Sequence, residues 1–290
     1  MTSRSLVVVT GVNMRVAART FTKTDTEDTV TFEGLGYKLN AAAGAAVELA
    51  KRGHLVHMMG SHEHHLRLIQ KYLMPAGSRY DLVDLLDTDA VAEFAEEVGQ
   101  IARREDISVH LVHYAGISES TVPMPRGTIF LDPWETPAKA IPEIVGSNTV
   151  TWLNLLQAMR PMFRRQERSK VVLISAVAAT RTGRLHGLDA IQKAAAHAMA
   201  RTLALDLTKE NIFVTEVMPG LTDTGFYDAD ATLEAVTLAA REYGYDYTEE
   251  TFPLFSSRKV GEAVGFAIDI DAHVREISLI PYGQWPHLGA

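Results

Sequence analysis

The stretch LHGLDAIQK, residues 185–193, brings three ionisable side chains close together: His186, Asp189 and Lys193. Asp189 and Lys193 are four apart, which on a helix puts both on one face. His186 precedes Lys193 by seven residues. A histidine titrates near neutrality and could hand over a proton. An aspartate is ordinarily a carboxylate at neutral pH, so it suits the role of base or electrostatic anchor; as an acid it needs strong desolvation. Both have structural alternatives. An acidic residue near a helix N-terminus is stabilising without any chemistry, and His186, one of 11 histidines, fits a loop before a helix. Two phenols add to the set: Tyr114, at the end of the apolar run SVHLVHYAG, and Tyr227 in a long connection further on.

The chain has 290 residues, 47% hydrophobic and 22% charged, enough for a sizeable core. Net charge is −8 with no basic patch, which speaks against nucleic-acid or anionic-membrane partners. There is no cysteine, so disulfides, thiolate catalysis and Cys-ligated zinc are excluded. His62, His64 and His65 cluster in SHEHH, but their spacing is not a usual ligand pattern, and no metal is expected. No apolar run reaches membrane-spanning length, and the run before Gly11 is too short for a signal-peptide core. A cytoplasmic protein is expected.

Apolar runs alternate with helical stretches. Strands are expected at 5–10, 54–59, 79–85, 108–116, 170–175, 211–220 and 276–281. Helices are expected at 40–53, 89–105, 148–166, 185–207 and 258–269. Repeated strand–helix alternation implies an α/β fold: a doubly wound parallel sheet of about seven strands with helices on both faces, in one domain over 1–290. Such sheets bind ligands at the carboxyl ends of their strands, here Gly11, Gly60, Asp84, Gly116, Ser175 and Gly220. Three segments break the alternation, 16–39, 117–142 and 221–256. All follow strand carboxyl ends, so they are expected to overhang one site; a helix at 231–244 in the third suits a lid. Trp152 and Met159 read as core or subunit contacts.

In its order of fragments, over roughly residues 5 to 281, the chain resembles the short-chain dehydrogenase/reductase family, whose fold is Rossmann-like. VVVTG resembles that family's turn after the first strand, with Thr10 and Gly11. VDLLD resembles its adenine contact, with Asp84 and Leu85. LVHYAG resembles its Asn-Asn-Ala-Gly, with Ala115 and Gly116 kept and His113 and Tyr114 replacing the asparagines. Asn148 lies where the family has a helix asparagine, with Gln157 and Pro161 at family-like offsets. VMPGLTDT resembles its nicotinamide and phosphate turn, with Pro219, Gly220, Thr222 and Thr224. The helix start NAAAGAA is similar to that of the enoyl-acyl-carrier-protein reductases, a divergent branch. About twenty extra residues precede that helix. Aligned by its end at Gly53, it has Asn40 and Ala42 where the family has glycines; Gly34 and Gly36 are possible substitutes, and Asn40 also suits a helix cap.

The resemblance implies a nicotinamide dinucleotide on Thr10, Gly11, Asn13, Asp84, Leu85, Ala115, Gly116, Lys193, Pro219, Gly220, Thr222 and Thr224. The second strand ends in Gly60, Ser61 and His62, with no carboxylate to take a ribose hydroxyl. Ser61, His62 and Arg15 could contact a 2′-phosphate, which favours NADP, with NAD as the alternative. The family's catalytic tyrosine falls at Asp189 and its serine at Ala176, while its lysine is Lys193. His186 has the spacing of the tyrosine in the enoyl-reductase branch, and Ser175 adjoins the lost serine. The candidate catalytic set is therefore Lys193, Asp189, His186 and Tyr114.

The expected activity is NAD(P)H-dependent reduction of a carbonyl or enoyl group in a bulky, natural-product or acyl-type small molecule, with a non-standard proton donor. Two alternatives stay open: a non-redox dehydration, cyclisation or isomerisation with Asp189 as base, and an inactive NADP-binding regulatory protein. The helices at 148–166 and 188–207 resemble family subunit contacts and imply a homodimer or homotetramer.

Overall fold

The computed structural model describes residues 4–21, 29–114 and 121–285. In chain order the elements are β1 (Ser5–Val9), β2 (Met14–Val16), β3 (Thr29–Phe32), β4 (Leu35–Leu39), α1 (Ala41–Lys51), β5 (Leu55–Met59), α2 (Glu63–Leu73), β6 (Arg79–Asp81), α3 (Thr88–Glu105) and β7 (Ser108–His113). They continue with α4 (Ala140–Phe163), β8 (Ser169–Ile174), α5 (Gly187–Asp206), β9 (Ile212–Pro219), β10 (Thr222–Asp223), α6 (Asp230–Arg241), β11 (Phe255–Ser256), α7 (Ser257–Asp269) and β12 (Glu276–Leu279).

β1 is a run of five buried residues, SLVVV. Alternate side chains serve opposite layers. Leu6 and Val8 pack with α3, α4 and α5, whereas Val7 and Val9 pack with α1, α2 and α7. Burying each such side chain is worth roughly 1.5–3 kcal/mol, which makes a β-branched apolar run a central strand. The sheet order is β12-β9-β8-β7-β1-β5-β6, with every pairing parallel. Leu6 pairs with Leu55 on one side and Val109 on the other. The chain winds from β1 outward to β6, then returns to β7 on the other flank. The crevice between the carboxyl ends of β1 and β7 is therefore the switch point where such folds bind ligands.

Within the segment expected as a loop at 16–39, Thr29–Phe32 and Leu35–Leu39 instead form strands of a three-stranded antiparallel sheet, in the order β2-β4-β3. Phe32 pairs with Leu35, and Glu33 and Gly34 between them have φ of 52° and 84°. That is the two-residue turn whose twist matches a hairpin. Gly34 thus serves the hairpin and Gly36 pairs with Thr31 in β4; neither substitutes for a phosphate-loop glycine. The strand expected at 79–85 stops at Asp81, which leaves Asp84 and Leu85 in a turn. α4 begins at Ala140, eight residues before the expected 148.

The three insertions meet. Phe21, Ile129, Phe130, Leu221, Val236, Phe252 and Trp285 share an apolar cluster of their own. Lys38 of β4, 2% exposed, places its Nζ 2.8 Å from Asp223 and 2.9 Å from Asp228. The second oxygen of Asp228 accepts the backbone N–H groups of Ala18 and Arg19. A buried cation between two carboxylates thus pins the β2–β3–β4 arm to the segment after β9, which forms the roof of the site. No helix among the described residues is long and apolar enough to cross a membrane.

Candidate active site

At the carboxyl ends of the strands lies a cavity of about 620 Å³. Its floor begins at Gly11, whose φ is +73°. Thr10, behind it, does not line the cavity. Its buried hydroxyl is 3.0 Å from His113 Nδ1 and accepts the backbone N–H of Tyr114, so it joins the ends of β1 and β7. Burial, with a smaller contribution from the charge of Lys193, pushes His113 down to about 3, so it stays neutral at physiological pH.

The phosphate turn is built from asparagines. Asn40 caps α1: its Oδ1 accepts Ala43 N–H at 2.9 Å and Asn13 N–H at 3.2 Å, and its Nδ2 donates to Gly11 O at 2.7 Å. Asn13 Oδ1 in turn accepts from Met14 N–H and from His65 Nδ1 at 2.6 Å. Burial, then the neighbouring His62 and His64, lower the pKa of His65, in keeping with a neutral ring donating that bond. Gly60 closes the turn from β5. A Cβ there would lie 2.4 Å from Val12 O, so only glycine lets the two chain segments touch. Ser61 and Arg15 line the cavity; His62, exposed at the start of α2, does not. Asp84 and Leu85 line the next stretch, with Asp84 accepting Leu86 N–H in its own turn. Ala115 and Gly116 lie outside the described residues.

At the other end, four polar side chains form a chain. Lys193 Nζ donates to Asn148 Oδ1 at 3.4 Å, Asn148 Nδ2 to Gln192 Oε1 at 2.5 Å, and Gln192 Nε2 to Asp189 Oδ1 at 3.0 Å. Asn148 and Gln192 are buried, and all four line the cavity. Lys193 Nζ also lies 5.6 Å from the centre of the Tyr114 ring. Gln192, which couples Asp189 to α4, is not apparent as a site residue from sequence. Its only sign is the i,i+3 spacing from Asp189.

The structure places His186 elsewhere. It is 5% exposed, donates Nδ1–H to Arg184 O at 2.9 Å, and packs its ring against Phe130 and Trp285. It does not line the cavity. The cause is a long-range contact: a bridge to Leu131 turns it into the apolar cluster of the insertions. Ser175 and Ala176 do line the cavity, because β8 ends at Ile174. The Ser175 hydroxyl is committed to the buried Glu216, which also holds His197. Pro219, Gly220, Thr222 and Thr224 complete the wall below the roof, where Phe226 and Tyr227 look down into the space. Burial first, then Asp189 and Tyr114, raise the pKa of Tyr227, so it remains a phenol across the physiological range. Among the described residues no group of three side chains is arranged to hold a metal ion.

The fold and the position of this cavity define a Rossmann-type α/β protein with its ligand crevice at the switch point. The model of the family described as Enoyl-(Acyl carrier protein) reductase matches residues 38–243, and the chain belongs to that family of short-chain dehydrogenases/reductases. An uncharacterized oxidoreductase of Staphylococcus saprophyticus is 24% identical over 192 residues, covering 65% of this chain and 76% of that protein. Among solved structures, an alcohol dehydrogenase of Thermococcus sibiricus complexed with 5-hydroxy-NADP superposes with a TM-score of 0.68. It has 18% identity over 98% of this chain and 99% of its own. A metagenomic short-chain oxidoreductase in complex with NADP has a TM-score of 0.63 and 16% identity over 97% and 98% of the two chains. The chain is an oxidoreductase of this family.

Proposed function

We propose that the protein is an NADP(H)-dependent reductase of a carbonyl or enoyl group in a bulky small molecule, with a proton donor other than the tyrosine usual on α5. The observation that carries this reading is one continuous cavity with a dinucleotide-like order of contacts along it. Gly11, Asn13 and the start of α1 would hold the pyrophosphate: they line the cavity, and the first turn of α1 has no acidic residue to repel an anion. Asp84 and Leu85 would take adenine, Lys193 the nicotinamide ribose, and Pro219, Gly220, Thr222 and Thr224 the nicotinamide and its phosphate. Ser61 and Arg15, which line the cavity beyond Gly60, suit a 2′-phosphate and so favour NADP over NAD. The two similar structures solved with NADP or its 5-hydroxy analogue support the same choice. When bound, reduced nicotinamide supplies a hydride.

The remaining lobe is walled by Ile129, Phe130, Phe226 and Tyr227, with Asp189 at its edge. Apolar walls with few polar groups fit a bulky organic substrate whose orientation is set at one end. Exposed Val150 and Leu153 of α4 and Ile191 and Leu205 of α5 offer a surface for self-association into a dimer or tetramer. The test is calorimetry and thermal shift with NADPH, NADH and no nucleotide. Binding and stabilisation by NADPH above NADH are expected; binding of neither removes this reading.

A further inference from the structure

Two phenol hydroxyls in the cavity, those of Tyr114 and Tyr227, make no hydrogen bond to any described residue. They enter from opposite sides. Tyr114 leaves the end of β7 beside Thr10, and the ammonium of Lys193 engages its ring face. Tyr227 comes from the roof, its ring packed at 5.5 Å against both Phe226 and Phe252. It lines the same cavity as Asp189, in the first turn of α5, at the position where the family resemblance puts a phenol. Asp189 is in no ion pair among the described residues. Its Oδ1 is held by Gln192, and Gln192 by Asn148. The carboxylate is therefore fixed in place while facing the lobe.

We propose that the phenol missing from α5 is resupplied by the roof: Tyr227 Oη, free of any hydrogen-bond partner among the described residues, gives the proton to the oxygen of the substrate's carbonyl or enolate, and Asp189, fixed by Gln192 in the same cavity, is a positioning residue for it. This rests on the reading that the cavity binds a reduced nicotinamide dinucleotide, which is the reductant. For a ketone, a C–H bond forms with the two electrons of the hydride as the C=O π bond breaks. The Oη–H bond breaks and an O–H bond forms on the substrate. The dinucleotide is oxidised, the carbonyl carbon is reduced, and the phenolate regains a proton from water after product leaves.

The arrangement has a direction. Reduction needs a phenol, and oxidation of an alcohol needs a phenolate to receive the proton. Burial and the Asp189 charge both disfavour the phenolate. Of the other groups around Tyr227, Lys193 on α5 is turned to Asn148 and Tyr114, and Arg15 of β2 sits over Phe226. In the roof, Asp223 and Asp228 are matched by Lys38, and Tyr247 beyond Phe252 donates to Gly283 O and is itself pushed up to about 12. His186 lies behind Phe130 with its Nδ1 bound to Arg184 O. Asp189 is thus the charge that adds to burial, the larger influence, in disfavouring the phenolate.

The test begins without nucleotide. Ultraviolet titration of wild type minus Tyr227→Phe isolates one phenol; the substitution keeps the ring and its packing. We expect that phenol to resist ionisation well above the usual tyrosine range near 10, and Asp189→Asn to bring its titration down by about one pH unit or more. An ordinary titration unaffected by Asp189→Asn overturns the proposal. With NADPH and benzil, an aromatic diketone, Tyr227→Phe is expected to lower kcat about 100-fold or more while NADPH affinity, read by its fluorescence, stays the same. Wild-type reduction is expected to hold its rate into alkaline pH, and Asp189→Asn to move the alkaline limb downward. Full kcat in Tyr227→Phe, with the loss appearing instead in Tyr114→Phe, assigns the proton to Tyr114 and overturns the proposal. Failure of NADPH to bind overturns the cofactor reading, and the nucleotide-free titration still decides whether Asp189 governs Tyr227.

Discussion

Asn40 lies at the end of the cavity proposed for phosphate, where the family resemblance puts a glycine; Asp189 lies at the end proposed for chemistry, where it puts a phenol. The two replacements are held differently. Asn40 makes its bonds to the adjoining turn, to Gly11, Asn13 and its own helix. The turn is held by side-chain amides and still lines the cavity. Asp189 is instead held by Gln192 of its own helix, and Gln192 by Asn148 of another, and it shares the cavity with a roof built by insertions. Substitution at the first end preserves a job with new parts. At the second end, on the proposed reading, the job moves to another segment, so that end depends on long-range packing.

That difference predicts where the molecule is most easily broken. The largest effect should come from Lys38→Met, which leaves Asp223 and Asp228 buried without their cation. Removing one partner of such a cluster costs about 3–5 kcal/mol, readable by urea unfolding. The pH dependence has a definite sign. Burial, the largest influence, raises the Asp223 pKa, opposed by Lys38 and reinforced by Asp228. A carboxyl with a raised folded-state pKa contributes stability below the ordinary carboxylate range and loses it as pH rises through the folded value. The deficit of Lys38→Met should therefore shrink on acidification. A deficit independent of pH would show that the roof is not pinned by this charge.

A second measurement concerns the floor beneath Tyr114. His110 and His113 are pushed down to about 4 and about 3, chiefly by burial, from an ordinary 6.5. With folded values below unfolded ones, their contribution is complete above about 6.5 and is lost as pH falls towards the folded values. Two protons taken up on unfolding give a slope of about 3 kcal/mol per pH unit between about pH 6 and pH 5. His113→Asn should remove about 1.4 kcal/mol per pH unit of that slope. An unchanged slope would mean that His113 is protonated in the folded protein.

The phosphate end should respond more in binding than in stability. Gly60→Val puts a branched side chain against Val12 O, where even a Cβ would sit at 2.4 Å. Overpacking of this kind costs about 1–3 kcal/mol, and because the turn must shift to relieve it, NADPH affinity in calorimetry is expected to fall at least about tenfold. Normal affinity would place the nucleotide away from this turn.

How far the residues announced all this follows from the range of the interactions. The parallel sheet was legible because buried strands such as SLVVV and KVVLI carry their burial in their own composition. The arm was also written locally, as TVTF and LGYKL around Glu-Gly, but its expected role as a loop hid the hairpin signal. The asparagine cap was visible because capping is local. What escaped joins distant residues. Asn40 meets Gly11 across 29 positions and Asn148 meets Gln192 across 44. His186 was drawn out of the site by Leu131, on an insertion whose path no periodicity describes.

The finest probe of the comparison is Asn40→Ala. Its loss as a helix cap alone predicts about 1 kcal/mol of destabilisation. If Asn40 also shapes the turn, removing its Nδ2 frees Gly11 O, and removing its Oδ1 leaves Asn13 N–H without that acceptor. NADPH affinity should then fall, while the Tyr227 titration, which depends on the far end, stays where it was. Asn40→Asp separates the two contributions, since a carboxylate caps the helix but cannot donate to Gly11 O and adds a negative charge beside the phosphates. Stability retained with affinity lost in Asn40→Asp would show that the asparagine works as part of the phosphate turn. Affinity retained in both variants would reduce it to a helix cap, and the phosphate end would then rest on Gly11 and Gly60 alone.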